Sequence, residues 1–249
     1  MTKFGAFGAT LSAGIQQVET AVITGTCTGS GNLHCILTSD SVAGSPLTTA
    51  VAILDTDTSD TVATKIAAAL NLVAAITVSF KVEASGPNVI FTRLIAATTD
   101  ADLNLAVHHD RRGGINPDAT SNGTTAGVAP VNIAQITNIG GPGLTLDTED
   151  VTTHDQATAW ETVVATILRT GEMTLDIVYD PAGATHYYAA GGILYRLANK
   201  QYTWFDLTFS STYDWKFSGY ITAFEPGAPV EGALTATVGI KITGAPTLE

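Results

Sequence analysis

Apolar and polar residues alternate along much of the chain, in short runs separated by Gly, Pro, Ser and Asn. Met173, Leu175, Ile177 and Tyr179 alternate with Thr174, Asp176 and Val178, which predicts a half-buried strand over 172–180. Residues 204–209 predict another, with Phe205, Leu207 and Phe209 on one face and Trp204, Asp206 and Thr208 on the other. Residues 215–224 and 233–243 complete an antiparallel run, broken at Pro226-Gly227-Ala228-Pro229. In the first half, 21–27, 33–37 and 48–54 read as strands ahead of a helix. Residues 76–82, 88–94 and 103–107 read as strands after it, with Ser85-Gly86-Pro87-Asn88 turning a hairpin.

Helical periodicity is confined to three places. Val62, Ile66, Ala69, Leu70 and Val73 fall on one helical face behind Asp57-Thr58-Ser59-Asp60, where Thr58 or Ser59 can cap the free N–H groups and Asp60 suits the dipole. Trp160, Val163, Val164, Ile167 and Leu168 make a second stripe, predicting a helix over 156–169 capped by Asp155 and ended by Gly171. A weaker third candidate, 185–198, is interrupted by Gly191-Gly192. The polar tract 120–125, after Gly113-Gly114-Ile115-Asn116-Pro117, reads as a linker.

Apolar residues reach 45% of the 249, so a packed core is within reach and disorder is not expected. The net charge of −12 argues against a protein that grips nucleic acid, because that grip rests on cations displacing phosphate counterions. The longest apolar stretch, 66–80, contains Asn71 and is too short to span a bilayer. Residues 1–18 have no continuous apolar core, so no secretory signal is read there, and Cys27 and Cys35 are expected as reduced thiols. A cross-strand disulfide between them stays open, should they lie opposite each other on a hairpin.

Candidate chemistry is sparse. His154-Asp155 reads as a capping loop rather than a proton-transfer pair, since neighbouring residues do not face each other. Asp55-Thr56-Asp57-Thr58-Ser59-Asp60 begins like a calcium loop, but Asp60 stands at the turn glycine and Ile66 at the bidentate glutamate, so capping is preferred. His108-His109-Asp110 offers three donors that, being consecutive, do not converge on one ion. Arg111-Arg112 reads as a solvated loop. Tyr187, Tyr188, Tyr195, Tyr202, Trp204 and Trp215 are expected in the core and at subunit interfaces, with a carbohydrate-binding face as the alternative. No catalytic constellation and no cofactor site emerges, so the chain is not read as an enzyme.

An internal echo divides the chain. Ile15-Gln16-Gln17-Val18-Glu19-Thr20 resembles Ile133-Ala134-Gln135-Ile136-Thr137-Asn138, as if 20–130 were a guest inserted into a domain made of 1–18 and 131–249. The reassembled host resembles the major tail tube proteins of long, non-contractile-tailed bacteriophages. The matching stretches are 136–144, 150–155 and 171–176, then Gly219-Tyr220-Ile221-Thr222-Ala223-Phe224-Glu225-Pro226-Gly227-Ala228-Pro229 and 233–244. They cover about half of the chain. The guest resembles a module inserted in various phage virion proteins.

The resemblance implies a mainly β fold: a tail-tube β-sandwich or half-barrel with one packed helix, and an inserted small α+β domain decorating the outside. It implies hexameric rings that stack into a hollow tube. It places subunit and ring contacts at 150–171 and the N-terminal arm, through Phe4, Asp150, Thr153, His154, Trp160, Val164, Ile167 and Arg169, with Trp160 and Ile167 anchoring the helix. Asp176, Asp206, Asp214, Glu225 and Glu231 are the candidates for an acidic lumen that repels the DNA backbone. The implied partners are further copies of the chain, tail terminator, tape measure and tail-tip proteins, with DNA passing through unbound. The implied location is the virion tail, and the host cytoplasm during assembly. A monomeric adhesin or glycan-binding module is the alternative.

Overall fold

The computed structural model describes residues 8–25, 27–109, 119–153, 160–210 and 213–249. The fold is mainly β, with a curled half-barrel sheet. It divides into two compact units, Gly14–Ala129 and Met1–Ala13 with Pro130–Glu249. In chain order, β1 (Thr10–Ile15) is followed by β2 (Val18–Val22), β3 (Gly31–Thr38) and β4 (Leu47–Ile53). Then come α1 (Ser59–Leu70), α2 (Ala74–Thr77), β5 (Phe80–Ser85), β6 (Asn88–Arg93), β7 (Asn104–His109) and β8 (Ala119–Thr125). The chain continues through β9 (Val128–Asn132), β10 (Ile136–Gly140), β11 (Leu144–Asp150), β12 (Val163–Thr170) and β13 (Glu172–Val178). It ends with α3 (Ile193–Ala198), β14 (Thr203–Ser210), β15 (Tyr213–Gly227) and β16 (Thr235–Leu248).

The unit Gly14–Ala129 is a seven-stranded sheet in the order β4-β3-β7-β8-β2-β6-β5, with α1 laid on one face. Thr58 starts α1 by accepting the Thr61 N–H at 3.3 Å, and Asp60 lies in the first turn. The Asp57 carboxylate accepts the Leu54 N–H and pairs with Lys65, which holds its pKa below the usual range; it serves the helix start. Val62, Ile66 and Leu70 bury the helix face against Leu33, Val82 and Phe91. The hairpin β5–β6 turns at Gly86, whose φ of +56° suits a residue without Cβ. Cys27 and Cys35 are free and buried, and burial pushes the Cys35 thiol up to about 12.

Three expectations change in this unit. The second strand begins at Val18 rather than Ala21. Ile76 belongs to the single helical turn α2, and the strand starts only at Phe80, because Ile76 and Phe80 are both drawn into the core under α1. The tract expected as a linker is in part β8, paired with β2 and β7. Its polar residues are used locally: the Ser121 hydroxyl accepts the Leu105 N–H at 2.9 Å and donates to Asn104 Oδ1 at 3.2 Å.

The other unit carries a seven-stranded sheet in the order β10-β13-β16-β15-β14-β1-β9 and a separate two-stranded sheet, β11-β12. Its core gathers Leu11, Met173, Leu175, Ile177, Phe205, Leu207, Val238 and Ile240, with Phe205 stacked on Phe217 at 5.5 Å and Ile193 of α3 packed among them. His186 is fully buried as a staple. Its Nδ1 accepts the Asp180 N–H at 3.2 Å, which places the proton on Nε2 for donation to the Ala134 carbonyl at 2.8 Å. The buried Arg196 guanidinium reaches the Gly191 carbonyl, Thr203 Oγ1 and the Ala13 carbonyl, tying α3 to β14 and β1.

Two helices expected here are corrected. Only Ile193–Ala198 of the 185–198 candidate is helical, because Gly191 adopts φ +101° and Gly192 is the N-cap, packed against the Tyr187 carbonyl. In the described part of 156–169 there is no helix, and from Val163 the chain is strand β12. Thr162-Val163-Val164-Ala165-Thr166-Ile167 is dense in β-branched residues, which lose side-chain freedom in a helix and fit a pleated ladder. Strand β15 also runs through Pro226 to Gly227 rather than stopping before it.

Candidate assembly surface

The hairpin β11–β12 pairs Leu144 with Thr170, Leu146 with Leu168 and Asp150 with Val163, shifting register between Leu146 and Thr148. Among the described residues, almost every position of both strands is exposed. Leu146, Val163, Val164 and Ile167 are about half exposed and Leu168 is 65% exposed. The bulge is held by Thr166 Oγ1 donating to the Asp147 carbonyl at 3.0 Å, and Arg169 forms an ion pair with Asp147. At the far end the Val151 N–H reaches the Thr162 carbonyl at 2.9 Å. Asp150 Oδ1 accepts the Thr152 N–H at 2.8 Å, and the Thr152 side chain first, then this N–H, lower the Asp150 pKa.

Of the predicted contact residues, Asp150, Val164, Ile167 and Arg169 all lie in this hairpin, with Thr153 just beyond β11. Trp160 is 81% exposed in the subunit and lies outside any described helix. Phe4 and His154 lie outside the described residues.

The predicted acidic residues sort by register. On the face of the large sheet opposite its core, Asn138, Asp176, Thr237 and Glu225 form one cross-strand row. Asp176 accepts from Asn138 Nδ2 at 3.0 Å and Thr237 Oγ1 at 2.8 Å, which lowers its pKa. Farther along, Asp206 stands opposite Lys216, and Lys216 Nζ pairs with Asp214 and Glu249. Burial, then the Asp214 charge, raises the Asp206 pKa, and Asp206 Oδ1 is buried without a hydrogen bond among the described residues. Register thus sets Asp176 and Glu225 on either side of Thr237, two strands apart, and Asp206 within the field of Asp214. Glu231 is exposed in the segment between β15 and β16, off the sheet. Lys216 and Lys241 share this face, which is therefore mixed in charge.

Sequence reasoning missed Leu144, Leu146 and Leu168 as surface groups, and the exposed Tyr202–Tyr220 pair at 5.5 Å. Of the aromatics expected in the core and at subunit interfaces, Trp204 is buried, while Tyr187, Tyr188 and Tyr202 are exposed in the subunit. The β-branched density of 162–167 was the signal for the hairpin; the tyrosine pair depends on a register that no local pattern encodes.

No protein-family model matches the chain, and no curated protein matches it. Among solved structures, a chain in the virion of native gene transfer agent particle is similar, with 12% identity and a TM-score of 0.40, over 48% of this chain and 88% of that one. No helix among the described residues is long and apolar enough to cross a membrane.

Proposed function

We propose that the chain is a structural virion protein whose function is self-association, as the subunit of hexameric rings that stack into a phage tail tube conducting DNA. The observation that carries this reading is the β11–β12 hairpin. A two-stranded ribbon is marginal by itself in water, and this one exposes Leu146, Val163, Ile167 and Leu168 to solvent. A neighbouring copy seated on it would remove that apolar surface from water. Among the described residues the large sheet is open at β10 (ITNIG), a strand with neither a charge nor a proline to deter pairing. Head-to-tail association closes into a ring when the rotation allows.

In this reading the hairpin takes the place of the expected helix as the inter-subunit and inter-ring contact. Asp176, Asp206, Asp214 and Glu225 then face the lumen and keep the DNA backbone from adhering. The unit Gly14–Ala129 decorates the outside, and terminator, tape measure and tail-tip proteins are the further partners.

The test is negative-stain electron microscopy with light scattering across a concentration series, for the wild type and for Ile167→Asp with Leu168→Asp. Rings or tubes with a central channel are expected for the wild type, and folded monomers for the variant. A wild type that stays monomeric at every concentration would count against self-assembly. It would favour the adhesin or glycan-binding reading, for which the exposed Tyr202–Tyr220 pair is the place to look.

A further inference from the structure

His34 lies in β3 and His108 in β7, and the antiparallel register sets them directly opposite each other. Their strand neighbours Leu33, Cys35, Leu105 and Val107 are buried in the core, whereas His34 is half-buried and His108 exposed, so the pair stands on the outer face of the sheet. On its other side His34 faces Ala50 of β4, whose methyl leaves the imidazole room to turn. No hydrogen bond or ion pair among the described residues engages either ring. Both nitrogens of His186, by contrast, are committed to the backbone.

Directly opposite residues on antiparallel strands have Cβ atoms about 4.5–5.5 Å apart. From that separation two imidazoles can each direct one nitrogen at a shared ion, at the roughly 2.0–2.1 Å typical of zinc–histidine bonds. Adjacent positions on a strand face opposite ways, so two ligands converge across a ladder and not between sequence neighbours. We propose that His34 and His108 form a two-imidazole site for a late first-row divalent ion, with Zn²⁺, Ni²⁺ and Cu²⁺ as the class. Neutral imidazole suits these ions, and hard oxygen-seeking cations such as Mg²⁺ and Ca²⁺ are disfavoured. Two protein ligands leave the remaining coordination positions to water. The net charge of −12 adds a general attraction for cations, and the paired rings give it a place.

The experiment is calorimetric titration of the full chain, stripped with chelator, with NiCl₂ and separately with ZnCl₂. One ion per chain is expected at the tightest site. His34→Ala and His108→Ala should each weaken that site about 100-fold, since one ligand of a chelating pair is lost. His109→Ala and His154→Ala should leave it unchanged. Retained affinity in His34→Ala, or loss of the site in His109→Ala, would overturn the assignment. Circular dichroism checks that the variants fold, and His34→Gln serves if the alanine variant does not. A measurement on the wild type needs no variant: trace Cu²⁺ should selectively broaden the imidazole proton signals of His34 and His108. Broadening confined to other histidines would equally sink the proposal. Added Zn²⁺ should also raise the melting temperature of the wild type but not of His34→Ala, because an ion that binds only the folded state stabilises it.

Discussion

Phe205 and Trp160 mark the two extremes of what a large aromatic side chain does in this protein. Phe205 is fully buried and stacked on Phe217, so Phe205→Ala removes transfer energy and leaves a cavity. Its expected cost is about 3–5 kcal/mol by denaturant unfolding. Trp160 projects into solvent, and Trp160→Ala should change the stability of the dilute subunit by no more than about 0.5 kcal/mol. Any larger effect should appear only under assembling conditions. Asp206 gives a prediction in pH. Its folded pKa is raised, by burial first and then by Asp214, so the folded state holds the proton more tightly than the unfolded one. Its contribution to stability is therefore full below the ordinary aspartate range and is lost as pH rises through the elevated folded value. Asp206→Asn should raise the melting temperature at neutral pH, and the gain should vanish below the ordinary range. A gain that persists in acid would assign it to packing instead.

Among the elements, β13 through β16 were readable because one face of each strand is buried and the other is not, which imprints a period of two on the sequence. The hairpin β11–β12 carries no such imprint. Both its faces are exposed, so nothing disciplined the apolar positions of β12, and Trp160, Val163, Val164 and Ile167 fell by chance at helical spacing. Helix α1 was legible for the opposite reason: its cap, first-turn acid and buried stripe all agree. Within β15, Gly219 permits close approach to β16, since a Cβ there would run into the Lys241 carbonyl. Gly219→Ala is expected to cost about 1–3 kcal/mol as the two strands are forced apart. A neutral result in thermal melts would mean that the β15–β16 ladder can shift to make room.

For the whole molecule, the chain leaves one unit at Ala13 and re-enters it at Pro130 on neighbouring strands, β1 and β9. The Ile133 N–H donates to the Leu11 carbonyl at 2.8 Å, so the exit and re-entry points are held close. Each unit has its own buried cluster. A chain with 14–129 excised and bridged by a short Gly-Ser linker should therefore fold, retain the melting behaviour of its own core, and assemble as the full chain does. An insoluble or unfolded product would argue that the two units depend on each other.

The sequence by itself determined the mainly β character, the capped helix α1 and the alternating core of β13 to β16. Each of these is written in spacing, because burial on one face repeats every two or every 3.6 residues. Tertiary structure alone decided which residues meet across the ladders. Asp176 with Thr237, Asp206 with Lys216, and His34 with His108 are separated by dozens of positions or by a bulge, and register, not local pattern, brings them together.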